Sequence, residues 1–151
     1  MKKRKPSAFA LSLLLAASAC QDTPLPPIDT SARDFVALAT QVEGPVEEAI
    51  VEFNTASARR DSPACRAAAR RALEAALAAR DQIEKYAVPE ALVAPRREEL
   101  TYLNHIVAGC QAFLAGDAGS GEIDKVRSII VRGRSHQSLA RAALREAEAG
   151  R

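Results

Sequence analysis

From residue 31 onward apolar side chains recur every three or four positions, the spacing of one face of an α-helix. Phe35, Leu38, Val42, Val46, Ile50 and Phe53 mark a first helix over 31–60. Cys65, Ala69, Ala72, Ala76, Ala79 and Ile83 line a second over 62–86, with Leu73 and Leu77 beside them. Leu100, Leu103, Val107, Cys110 and Leu114 form the seam of a third over 95–115. Ile123, Val126, Ile130, Gly133, Gln137, Ala140 and Leu144 point inward from a fourth over 122–149. No segment shows the period-two alternation of a half-buried strand.

The residues between these stretches read as stops and starts. Ser31 with Asp34 resembles a capping box at the first helix. Gly44-Pro45 interrupts that helix and predicts a bend or a split, because proline removes one helical hydrogen bond. Ser62 is the expected N-cap of the second helix, with Pro63 at the first helical position. Val88-Pro89 and Ala94-Pro95 break the chain again, with room for a short turn between them. The glycine-rich stretch 116–121 predicts a loop. Short connections make sequential helices antiparallel, so residues 31–151 are expected to form an all-α, up-down-up-down four-helix antiparallel bundle.

The first thirty residues follow a different pattern. Lys2, Lys3, Arg4 and Lys5 precede an apolar run over 8–19, too short for a bilayer that needs roughly 20 residues. A basic start, a short apolar stretch and small residues at its end read as a signal peptide over 1–19. Residues 20–30 hold Pro24, Pro26 and Pro27 and read as a tether, reaching roughly 30 Å at about 3.1 Å per residue. Ala17-Ser18-Ala19-Cys20 resembles the lipobox of bacterial lipoproteins, with Ala17 where that family prefers Leu. The resemblance implies cleavage before Cys20, lipidation of its thiol and a membrane anchor. Gln21, where inner-membrane lipoproteins of the enteric type carry Asp, implies the outer membrane and a domain facing the periplasm.

Cysteine counting agrees. Three cysteines leave one over in an exported protein, and Cys20 stands where a lipobox puts its lipidated residue. Cys65 and Cys110 lie on apolar seams, and their midpoint falls at 87–88, inside the break between the second and third helices. In a hairpin turning there they stand at equal height, which predicts a Cys65–Cys110 disulfide in the oxidising periplasm. The chain-entropy account credits such a bridge with roughly 4 kcal/mol.

Charge narrows the function. Four of the 21 Lys and Arg lie in residues 1–19 with no acidic residue, leaving 17 against 19 Asp and Glu, a net of −2. A nucleic-acid partner needs a concentrated basic face, which this chain lacks. Arg59-Arg60, Arg70-Arg71 and Arg96-Arg97 read as solvated helix surface. Glu43, Glu47, Glu48 and Glu52 read as a solvated acidic face, with a contact surface for a basic partner as the further possibility. His105 points outward, His136 flanks the fourth seam, and neither has a carboxylate or cysteine at ligand spacing on its own helix. No nucleophile elbow, phosphate-binding glycine loop or zinc-protease motif occurs. In 132–136, Gly133 reads as a packing glycine, with anion binding by Arg132, Arg134 and His136 as the alternative.

The expectation is therefore an envelope lipoprotein that acts by protein–protein contact, with no catalytic, cofactor or metal site. A periplasmic sensor of a small ligand or metal is the competing class. The expected partner surface is the membrane-distal end, with Arg59 and Arg60 at one turn and Gly116, Asp117, Gly119 and Gly121 in the long loop.

Overall fold

The computed structural model describes residues 31–116 and 120–149. They form four helices, α1 Ser31–Ala58, α2 Ser62–Lys85, α3 Val93–Ala115 and α4 Ser120–Ala149, with one 3-10 turn at Glu90–Leu92 ahead of α3. No strand occurs among the described residues. The signal and tether, with Cys20, and the loop residues Asp117 and Gly119 lie outside them.

Contacts between helices fix their directions. Phe35 and Arg71 of the α1–α2 pair meet Tyr86 and Glu52. Arg66 and Arg80 of α2 reach the Leu114 carbonyl and Asn104 of α3. Glu98 of α3 meets His136 of α4, and Gly109 faces Ile129. Arg134 and Arg141 of α4 return to Glu47 and Thr40 of α1. In each pair one number rises as the other falls, so the order is up, down, up, down. α1 and α4 approach each other along the fewest positions.

The core is graded in size. α2 turns Cys65, Ala68, Ala69, Ala72, Ala76, Ala79 and Ile83 inward. Its alanines let the neighbouring helices come close, since interhelical spacing follows the side chains at the contact. Large rings sit toward the two ends. Phe35 and Tyr86 stand 5.9 Å apart at one, and Phe53 and Phe113 meet edge to face at 5.1 Å at the other. A buried ring of this kind contributes about 1.5–3 kcal/mol over an exposed one.

Several boundaries differ from those expected. α1 runs through Pro45 without a break. Gly44 makes this possible, because a Cβ there would crowd the proline ring in helical backbone. α1 ends in a Schellman turn: the amides of Arg60 and Asp61 bond Ser57 O at 3.1 Å and Ala56 O at 3.0 Å, with Arg60 left-handed at φ 57°. The N-cap of α2 is Asp61 and not Ser62, its Oδ1 accepting from Ala64 N at 3.0 Å. Asp offers the same capping oxygen one residue earlier, which moves Pro63 to the second helical position. α4 starts at Ser120, so Gly121 lies inside a helix rather than in the loop.

The expected disulfide is not formed: Cys65 and Cys110 are buried free thiols. The hairpin register explains it. The connection runs from Lys85 to Val93, centred on residue 89, which puts position 113 opposite Cys65. Arg66 shows the same register by bonding the carbonyls of Leu114 and Gly116 at 3.2 and 2.6 Å. Cys110 therefore falls three residues short, about 4.5 Å along the axis at 1.5 Å per residue.

Candidate functional site

The buried face of α3 includes Leu103, Val107 and Cys110 of the expected seam but is wider than that seam. Leu92, Pro95, Glu99, Tyr102, Ile106, Cys110 and Phe113 are buried at spacings of three and four. Leu100 and Leu114 of the expected seam are only half-buried. The stripe passes through Glu99 and Tyr102, both with 0 % of their surface accessible. A carboxyl group thus sits in the middle of the bundle.

α1 brings a second one to meet it. The acidic face expected over Glu43–Glu52 divides in two: Glu48 and Glu52 are exposed, Glu47 is half-buried and Glu43 is buried. Glu43 follows Ala39 by one turn and precedes Val46, both fully buried, so it is carried inward on the apolar face. Sequence reading missed it because Glu43 and Glu47 sit beside Glu48 and Glu52, and the four resemble one patch.

The polar groups between α1, α3 and α4 form two linked sets. Tyr102 donates its hydroxyl to Glu47 Oε1 at 2.6 Å, and Arg134 donates to Glu47 Oε2 at 2.6 Å. Gln137 and Arg141 donate to Glu43 Oε2 at 2.8 and 2.6 Å, and Arg141 also reaches Thr40 Oγ1 at 3.1 Å. Three buried oxygens are left with no donor: Glu43 Oε1 and both oxygens of Glu99. An ionised buried carboxylate in that position costs several kcal/mol. Burial first, then the bond and charge of Glu43, push the Glu99 carboxyl up to about 9, with Arg141 pulling weakly the other way. A carboxyl held that high keeps its proton at pH 7 and has an O–H to offer a neighbouring acceptor. Burial and Glu47 likewise raise Tyr102 far above the phenol range, so it stays a donor.

The histidines flank this centre. His136 Nδ1 lies 2.8 Å from Glu98 Oε2, and the His105 and His136 rings stack at 5.3 Å. His105 is half-buried against its neighbour rather than pointing outward. Burial, then the charges of His136 and Arg132, lower its basicity. A cross-helix bond such as His136–Glu98 leaves no trace in the spacing along either helix. Arg134, a member of the expected anion site, is occupied by Glu47. The close packing expected at Gly133 is present: a Cβ there would stand 3.1 Å from His105 Cβ and 3.4 Å from Tyr102 O.

The expected partner surface lies at one end. Arg59 and Arg60 are exposed on the turn between α1 and α2. Gly116 reaches the same end through Arg66, which holds its carbonyl, while its amide closes α3 onto Ala112 O and Phe113 O. Gly121 is exposed in the first turn of α4. A groove of about 260 Å³ opens beside Arg59, with Val51, Thr55, Ala56 and Ala64 on its floor and Glu52, Asp61 and Arg71 at its sides. Neither Arg59 nor Arg60 forms an ion pair among the described residues.

Among the described residues no three His, Cys, Asp or Glu side chains are placed to hold a metal ion, and no helix is long and apolar enough to cross a membrane. The central set can hold a proton between two carboxyls, and the end of the bundle presents two unpaired guanidinium groups beside a hollow with an apolar floor. No protein-family model, curated protein or solved structure matches the chain.

Proposed function

We propose that this chain is a lipoprotein of the bacterial cell envelope, anchored through Cys20 in the outer membrane with its helical domain toward the periplasm. In this reading the domain is non-catalytic and binds another protein, as an accessory, pilot or inhibitor subunit. The anchor rests on the lipobox-like Ala17-Ser18-Ala19-Cys20. The binding role rests on one observation above all: the groove beside Arg59, floored by Val51, Ala56 and Ala64 with Glu52, Asp61 and Arg71 on its walls, at the end of α1 opposite Ser31, where the tether joins. A mixed rim of Arg59, Arg71, Glu52 and Asp61 around an apolar floor, with Arg60 exposed next to it, suits a protein partner that sets an apolar side chain in the hollow and a carboxylate against Arg59 and Arg60. A Cys65–Cys110 bridge has no part in this proposal.

Two measurements test it. Mass spectrometry of the mature N-terminus from native membranes is expected to find Cys20 first and acylated; an unmodified Cys20 in a soluble periplasmic fraction removes the anchor. Crosslinking and capture from the same membranes are then compared for the native chain and for Arg59→Glu with Arg60→Glu. Capture of one defined partner is expected to fall at least tenfold with helicity unchanged, since reversing rim charges of this kind opposes encounter. Equal capture by both proteins moves the interface to a helix face. The sensor reading keeps one observation in its favour, the buried carboxyl pair at the bundle centre.

A further inference from the structure

We propose that Glu43 and Glu99 hold a single proton between them, and that this proton is the latch that keeps α1 closed against α3 and α4. The inference does not depend on how the chain is anchored or what it binds.

Three observations carry it. First, the three buried oxygens without a donor all belong to these two side chains. One hydrogen on Glu99 turns two acceptors into a donor and an acceptor, and no other group in contact supplies one. Second, the two carboxyls come from different helices, Glu43 from α1 and Glu99 from α3, so a proton shared by them ties one helix to the other across the bundle. Third, α1 meets α4 along few positions, and long polar side chains span the gap: Arg134 to Glu47, and Gln137 and Arg141 to Glu43. Each of those bonds ends on the α1 residue that also meets α3, so Glu43 and Glu47 are where the three helices join.

The charges around the pair are few. From α1 come Glu43 and Glu47, and from α4 Arg134, Arg141 and, beyond Glu98, His136. α3 adds Tyr102, a donor held by Glu47. α2 turns only Cys65, alanines and Ile83 inward. Arg141 is already bonded to Glu43, so a second carboxylate at Glu99 meets a like charge and no unspent cation. Losing the proton therefore sets two buried negative charges against each other across α1 and α3. The side with the thinnest packing, α1 against α4, gives way.

The sign follows. The folded chain holds the proton up to about pH 9, while an unfolded glutamate releases it near 4.5. Between those values folding binds one extra proton, and stability falls as pH rises. The unfolding equilibrium constant is expected to rise about tenfold per pH unit from pH 7 to 8. Glu99→Gln keeps a donor toward Glu43 and removes the titration, so its curve is expected to be flat over the same window. Hydrogen exchange at pH 8.5, compared between the two proteins at identical pH, is expected to be accelerated more in the native chain for amides of α1 and α4 than for those of α2 and α3, which follow global unfolding alone. Uniformly faster exchange in all four helices overturns the latch and leaves only a pH-dependent global stability. Parallel curves for native and Glu99→Gln overturn the shared proton. Should Glu99→Gln not fold, carboxyl carbon NMR of the native chain decides: a Glu99 midpoint in the ordinary carboxylate range overturns the proposal.

Discussion

Two residues at opposite ends of the size scale carry constraints that substitution can read. Gly133 lies where α4 crosses α3, and the atoms a Cβ would meet are His105 Cβ, Tyr102 Cδ2 and Tyr102 O. None is the free end of a flexible chain, and Tyr102 is further pinned by Glu47. Alanine normally gains about 1 kcal/mol over glycine inside a helix. Here overpacking, about 1–3 kcal/mol, opposes and exceeds that gain. Gly133→Ala is expected to lower stability by about 1 kcal/mol in denaturant titrations, and Gly133→Val by more. Arg60 is the reverse case. It occupies the left-handed position of the Schellman turn, which an L residue with a Cβ adopts at a cost of about 1 kcal/mol. Arg60→Gly is expected to raise the melting midpoint by about 4 °C, as about 1 kcal/mol does in a domain of this size. An unchanged midpoint would mean that the long side chain repays the backbone cost.

At the scale of the helices, much was legible and the errors have one cause. Four amphipathic stretches with proline and glycine between them predict the four elements to within a few residues, because burial of an apolar face decides each. The inward positions foreseen on α2 and α4 are buried or half-buried, as alanine and isoleucine leave little choice. α3 is where the pattern misled. Leu103, Val107 and Cys110 of the expected seam are buried while Leu100 and Leu114 are half-buried, and a second series at 92, 95, 99, 102, 106 and 113 has the same helical period and contains a glutamate. An acidic residue on a helical period is normally read as a gap in the stripe, and so the centre of the bundle went unseen. The same element decides the thiol question. Burial pushes the Cys110 thiol up to about 11, and burial followed by the Asp61 charge raises Cys65. Both are expected to resist iodoacetamide in the folded domain at pH 7.5 and to react within minutes in denaturant, with no mass change on adding reductant. A Cys65–Cys110 peptide in a non-reducing map would overturn the register drawn from Arg66.

At the scale of the whole molecule, connection length alone foretold which helices are antiparallel neighbours, while the character of each interface required side chains to be placed. Three of the four sides are lined by small residues or packed rings. α1 and α3 close on the alanines of α2, and α3 and α4 meet at Gly109 and Gly133. The fourth side, α1 to α4, is spanned by arginine, glutamine and glutamate. The α1–α4 side is thus the one spanned by long polar side chains where the others pack small residues and rings. Such a frame does not breathe equally in all directions. It opens as a book does: α1 with α2 is one cover, α3 with α4 the other, and the α2–α3 contact is the spine. Opened along that fore-edge, between α1 and α4, the bundle would expose Glu43, Glu47 and Glu99 together.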